Sequence, residues 1–117
     1  MTNIILKNKN KTIMKGIIGE NTISVFMPYI QKSKNVLFLN QSTHQNQMYS
    51  KKFNKEIVRY MTYSDFVNLE LNQIEENKID TIICNDFDRN ILKSCVEKIS
   101  LIEDKFPDVK IVERICG

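Results

Sequence analysis

Glycine and proline are scarce in this chain of 117 residues, with three of the first and two of the second. So few turn-formers leave little room for long irregular loops. Cysteine is low and odd in number: Cys84, Cys95 and Cys116, none in a C-x-x-C spacing, beside a single histidine, His44. That set argues against a disulfide framework or a zinc site, and a reducing cytoplasm is the expected compartment. No apolar run approaches the length of a membrane span and no signal peptide is expected at the start, so no membrane partner is expected. Charge of one sign is also thin. The net charge is +3, with lysine spread along the chain. A nucleic-acid surface usually needs clustered basic residues. The densest stretch, Lys7, Lys9, Lys11 and Lys15, reads as a solvated hairpin or turn.

What is present is ordinary for a globular domain: 42% hydrophobic and 26% charged residues. The length suits one domain, residues 1–117, with a single core. Short apolar runs alternate with segments of helical period. Residues 3–7 and 12–18 read as strands, possible partners in a hairpin around Lys9-Asn10-Lys11. Asn21 or Thr22 caps a helix to about Gln31, with Pro28 inside it at the cost of a hydrogen bond and a kink. Residues 35–39 form a buried strand, Ser42 caps a polar helix to about Phe53, and residues 56–61 form another strand. Ser64 and Asp65 then cap a helix to about Glu76, with Val67, Leu71 and Ile74 on one face. Residues 81–84 are a strand. Residues 89–106 are the clearest helix, with Leu92, Cys95, Val96, Ile99 and Ile102 at helical spacing. Pro107 ends it, and Lys110-Ile111-Val112 opens the last strand. Short apolar strands with intervening helices predict an α/β fold: a three-layer, about five-stranded, mostly parallel sheet covered on both faces. Val36, Phe38, Ile82, Ile83, Leu92, Val96 and Ile99 are the expected core. Phe26, Phe38, Phe53, Phe66 and Phe87, with Cys84 and Cys95, are expected to join it.

The segment Ile82-Ile83-Cys84-Asn85-Asp86-Phe87-Asp88-Arg89 ends an apolar run abruptly in acids and an arginine. A buried parallel strand looks like this where it delivers side chains to the carboxyl edge of a sheet. Asp86 and Asp88 read either as a metal pair or as a polar strand end in which Asp88 caps the following helix. His44 has no second histidine and no nucleophile near it, and reads as a surface residue.

Several segments together resemble the first RecA-like lobe of superfamily 2 helicases, the DEAD-box and related ATPases. Gly19-Glu20-Asn21-Thr22 through Pro28 is similar to the family's phosphate loop and first helix, where G-K-T leads to an apolar turn and a proline. Val36 to Leu39, with Ser42 and Gln47, resembles the next strand and helix. Val58 to Phe66 looks like the strand ending in a T-Y-x-x-L-type segment. Ile82 to Arg89 resembles the D-E-x-H/D segment. Phe106 to Val112 resembles the strand leading to the S/T-A-T motif. The resemblance spans nearly the whole chain and implies a RecA-like P-loop NTPase lobe, with the last strand threaded between the two motif-bearing strands. It places a phosphate loop at Gly19, Asn21 and Thr22, metal-orienting positions at Asn85, Asp86 and Asp88, and a catalytic role, if any, on Asp86.

The departures are chemical. Glu20 and Asn21 stand at the glycine and lysine positions of the phosphate loop. A glycine there lets backbone amides approach phosphate, and the lysine neutralises it. Asn85 stands where Mg²⁺ is met by Asp, and a neutral amide is a poor partner for that ion. The S/T-A-T motif is replaced by Val112-Glu113-Arg114, and the arginines of a second lobe are missing from this sequence. Three functions are left open. The first is a non-catalytic lobe-like domain acting by binding a protein or a nucleic-acid complex, for which a small reading frame of a mobile element or phage is a fitting source. The second is a residual nucleotide-binding protein or weak ATPase, taking ATP and Mg²⁺ and completed by another chain. The third is an unrelated small α/β binding domain.

Overall fold

The computed structural model describes residues 10–115. They form five strands and five helices: β1 (Lys11–Lys15), α1 (Thr22–Gln31), β2 (Val36–Asn40), α2 (Thr43–Ser50), β3 (Val58–Thr62), α3 (Tyr63–Val67), α4 (Asn72–Glu76), β4 (Thr81–Phe87), α5 (Lys93–Lys105) and β5 (Lys110–Ile115). The proposed strand at residues 3–7, its hairpin, and Cys116 lie outside the described residues. The five strands make one sheet in the order β1-β5-β4-β2-β3, and every pairing is parallel. The last strand therefore lies between β1 and β4. Among the described residues no helix is long and apolar enough to cross a membrane.

Alternation along the central strands builds two cores, because successive side chains of a strand point to opposite faces. Leu37, Leu39, Ile82, Cys84 and Ile111 face one side, packed with Tyr63 and Phe66 of α3, Ile74 of α4, and Cys95, Ile99 and Ile102 of α5. Val36, Phe38, Ile83 and Val112 face the other, packed with Phe26 and Ile30 of α1 and with Phe53. The result is consistent with a three-layer RecA-like α/β fold. Burial pushes the Cys84 thiol well up and the Cys95 thiol up, so both sit as small core groups.

Several boundaries differ from the sequence reading. The helix expected from Ser64 to Glu76 is two short ones. Asn68 ends α3, and Lys98 Nζ on α5 donates to the carbonyls of Val67 and Leu69, satisfying the freed chain end. Val67 consequently points to solvent, whereas Phe66 is buried. The helix expected from Arg89 begins at Lys93, because the Asp88 carboxylate takes the amides of Asn90 and Ile91 into a turn. Leu92 and Val96 are only partly buried, since Cys95, Ile99 and Ile102 form the innermost line of α5. The strand expected at residues 81–84 runs on to Phe87 through an irregularity between Cys84 and Phe87. The strand expected at 12–18 stops at Lys15, and α2 stops at Ser50. Helix α1 runs through Pro28; that proline and Ser24, whose carbonyl the missing N–H would have met, are both exposed to water.

Candidate functional site

The loop from Gly16 to Asn21 links β1 to α1 at the carboxyl edge of the sheet. Gly19 adopts a left-handed backbone, φ +83°, and the Glu20 amide donates to the Ile17 carbonyl at 3.2 Å, closing a tight turn. The Glu20 side chain then folds back into the loop. Its Oε1 accepts from the Ile17 amide at 3.1 Å and from Arg114 Nε at 2.6 Å. Arg114 lies on β5, directly between the two strands that carry the loop and the acidic segment. Its Nη1 donates to Asp86 Oδ1 at the end of β4. Gly16 leaves room for this approach: a Cβ there would meet Arg114 Cζ at 2.8 Å, so the guanidinium would have to shift. The bonds from Arg114 and Ile17 hold the Glu20 carboxyl below its usual range. Burial alone would draw the Arg114 pKa down, but Glu20 and Asp86 hold it above its ordinary value.

A cavity of about 270 Å³ opens over this triad, lined by Gly16, Ile17, Ile18, Gly19, Glu20, Thr22, Asp86 and Arg114. Gly19, Thr22 and Asp86, separated in sequence, are thus brought together. Asn21 is turned elsewhere. It is the N-cap of α1, and its Oδ1 accepts from the amides of Ile23 and Ser24 at 3.1 and 3.2 Å.

Behind the loop runs a line of neutral polar groups. Phe38 packs against Tyr49 at 5.1 Å between ring centroids, and Tyr49 stacks on Phe53. That packing sends the Tyr49 hydroxyl to Thr22 Oγ1 at 2.8 Å and to Asn85 Nδ2 at 3.2 Å. Asn85 Nδ2 also donates to Asn40 Oδ1 at 2.9 Å, and Asn40 Nδ2 donates to Asn46 Oδ1 at 3.0 Å. Asn85 is buried, and its Oδ1 finds no hydrogen-bond partner among the described residues.

Asp88 lies apart from Asp86. It lines a different cavity of about 500 Å³, with Gln41, Tyr63, Ser64, Ile91 and Ser94 among its walls. Arg89 pairs with the fully buried Glu113, whose other oxygen is 3.2 Å from Lys11 Nζ. His44 is exposed on α2, as its sequence context implied.

These residues do not fit a magnesium nucleotide. Inside the loop the Ile17 amide and Arg114 Nε are taken by Glu20, and the amides of Ile23 and Ser24 by Asn21. Asp86 is tied to Arg114, Asp88 serves its own turn, and Asn85 presents a neutral amide to other neutral groups. Among the described residues no three His, Cys, Asp or Glu side chains gather as a metal would need.

Arg114, Tyr49, Asn40 and Gly16 were not found from the sequence. Glu20 and Arg114 are 94 positions apart, and only the placement of β5 beside β1 makes them neighbours. Comparison with protein-family models, with curated proteins and with solved structures gives no match.

Proposed function

We propose that this chain is a catalytically silent domain resembling the first RecA-like lobe of a helicase, and that it works by binding a protein or a nucleic-acid complex. The carrying observation is the Glu20 carboxylate, bonded to the Ile17 amide and Arg114 inside the loop. Phosphoryl transfer rests on positioning and on neutralising phosphate charge. Here the loop presents a fixed negative charge to any incoming phosphate, and its cation is already engaged by two carboxylates. The helicase resemblance is supported by the position of β5 between β1 and β4, the two strands that carry the loop and the acidic segment. A cytoplasmic setting accords with two buried, unpaired cysteines.

The test has two arms. The purified chain is titrated with Mg²⁺-ATP by calorimetry and assayed for turnover; neither binding nor hydrolysis is expected. Turnover that disappears in Asp86→Ala would overturn the proposal. The tagged chain is then recovered from its native host. A stoichiometric complex, indifferent to ATP and to removal of Mg²⁺, is the expected result; a complex that forms only with ATP would favour a nucleotide-dependent function.

A further inference from the structure

We infer that the β1–α1 loop and Arg114 form an oxyanion seat whose resident occupant is the protein's own Glu20 carboxylate. The inference rests on the proposal that the cleft has given up its nucleotide, and it says what took the nucleotide's place. A single oxygen, Glu20 Oε1, receives both a backbone N–H, from Ile17 at 3.1 Å, and a guanidinium N–H, from Arg114 at 2.6 Å. Two donors converging on one oxygen are what an anion site offers its ligand. The seat is built, because each part is fixed from elsewhere in the fold. Arg114 is largely buried on a strand between two others, Gly16 leaves room for its guanidinium, and Gly19 supplies the left-handed turn that aims the Ile17 amide inward. The cavity above it has room for a small ligand.

Two properties keep other anions out. Glu20 is covalently tethered one turn away, so it competes at a high effective concentration that no dissolved ligand dilutes. The three ionised groups, Glu20, Asp86 and Arg114, sum to one negative charge, which repels a free oxyanion. Remove Glu20 and the Ile17 amide and Arg114 Nε are left without their acceptor, beside an Asp86–Arg114 pair of zero net charge. Remove the Asp86 charge as well and an arginine faces the cavity alone. The class of ligand is then a small oxyanion, phosphate or carboxylate, held by a guanidinium from β5 and an amide from the loop.

Inorganic phosphate is the probe, titrated calorimetrically into the full chain and three variants. Affinity should rise from the parent to Glu20→Gly, by about tenfold or more if the tether is the main competitor. It should rise again in Glu20→Gly with Asp86→Asn. It should be lost in Glu20→Gly with Arg114→Gln. A folded Glu20→Gly chain that binds phosphate no better than the parent would overturn the inference. So would binding that survives replacement of Arg114, since the anion would then sit elsewhere. A second readout needs no removal of Arg114: its Nε–H resonance should move when Glu20 is replaced and move back as phosphate is added. A resonance indifferent to both would also overturn it. Turnover of Mg²⁺-ATP by the parent would remove the proposed function while leaving the phosphate series to stand or fall separately.

Discussion

Asp86 holds a left-handed backbone, φ +48°, where β4 departs from regular pairing. The irregularity lets Phe87 return to the core while the Asp86 carboxylate turns to Arg114. Aspartate and asparagine tolerate this region and β-branched residues do not. Asp86→Asn should therefore keep the backbone, whereas Asp86→Val should lose about 1–2 kcal/mol more in chemical denaturation. Equal losses would show that the charge, not the backbone, sets the preference. Glu20 gives a pH dependence of definite sign. Its folded pKa lies below the ordinary glutamate value of 4.5, so its contribution is complete above that pH and fades as the pH falls through the lower folded value. The charged groups facing it are Arg114 directly and Asp86 across Arg114. The Arg114 Nε–H resonance should hold steady from neutrality down to about pH 4.5 and shift below it; a shift near neutral pH would contradict this. In the core, Ile83 and Ile99 are almost wholly buried, and truncating either to Ala should cost about 2–5 kcal/mol.

Among the elements, the break between α3 and α4 depends on a residue far along the chain. Lys98 Nζ reaches two carbonyls at the end of α3 and stands 5.9 Å from the centre of the Phe66 ring. Lys98→Met should cost about 1 kcal/mol in thermal or chemical unfolding through lost capping. The same change at exposed Lys93 should be close to neutral. This dependence explains what the sequence could and could not reveal. Continuous apolar runs marked β2 and β4, and helical spacing marked α5, because those signals are local. The phase of α5 was less legible: five apolar positions fit one broad face, and only packing on the sheet separates Cys95 from the partly buried Leu92 and Val96. The start of α5 was misread because Asp88 competes for the amides that a helix would use. The α3–α4 break lies in Lys98, and the occupied loop lies in Arg114; neither partner carries a local mark. Glu20, Asn21 and Asn85 are legible as departures from a phosphate site, but not the Arg114 contact of Glu20, the helix-capping of Asn21 or the Tyr49 and Asn40 contacts of Asn85.

At the scale of the whole molecule, the β1–α1 loop, the end of β4 and Arg114 of β5 meet at the carboxyl edge of one parallel sheet. Replacing Glu20 by Gly, Asn21 by Lys and Asn85 by Asp together should bring back detectable Mg²⁺-nucleotide binding, measured by calorimetry beside the parent, if the helicase resemblance is sound. The loop would regain a close approach to phosphate and a cation, and β4 a charged oxygen for the metal. Hydrolysis should stay negligible, because among the described residues Arg114 is the one arginine lining the cavity, and it stays paired with Asp86 rather than free to neutralise transition-state charge. A folded triple variant that binds no more nucleotide than the parent would favour the unrelated α/β alternative.

The position of β5 also dictates an order of events. Lys11 pairs with Ile111, so β1 gains its neighbour from the far end of the described chain. Until residues 110–115 are available, β1 and β4 have no strand between them, and the ring of Arg114 contacts has no centre. Closing so long a span before its contacts repay the entropy slows folding. During synthesis the sheet would then wait for β5 to leave the ribosome, with β2, β3 and β4 assembled first and β1 joining only once β5 is in place.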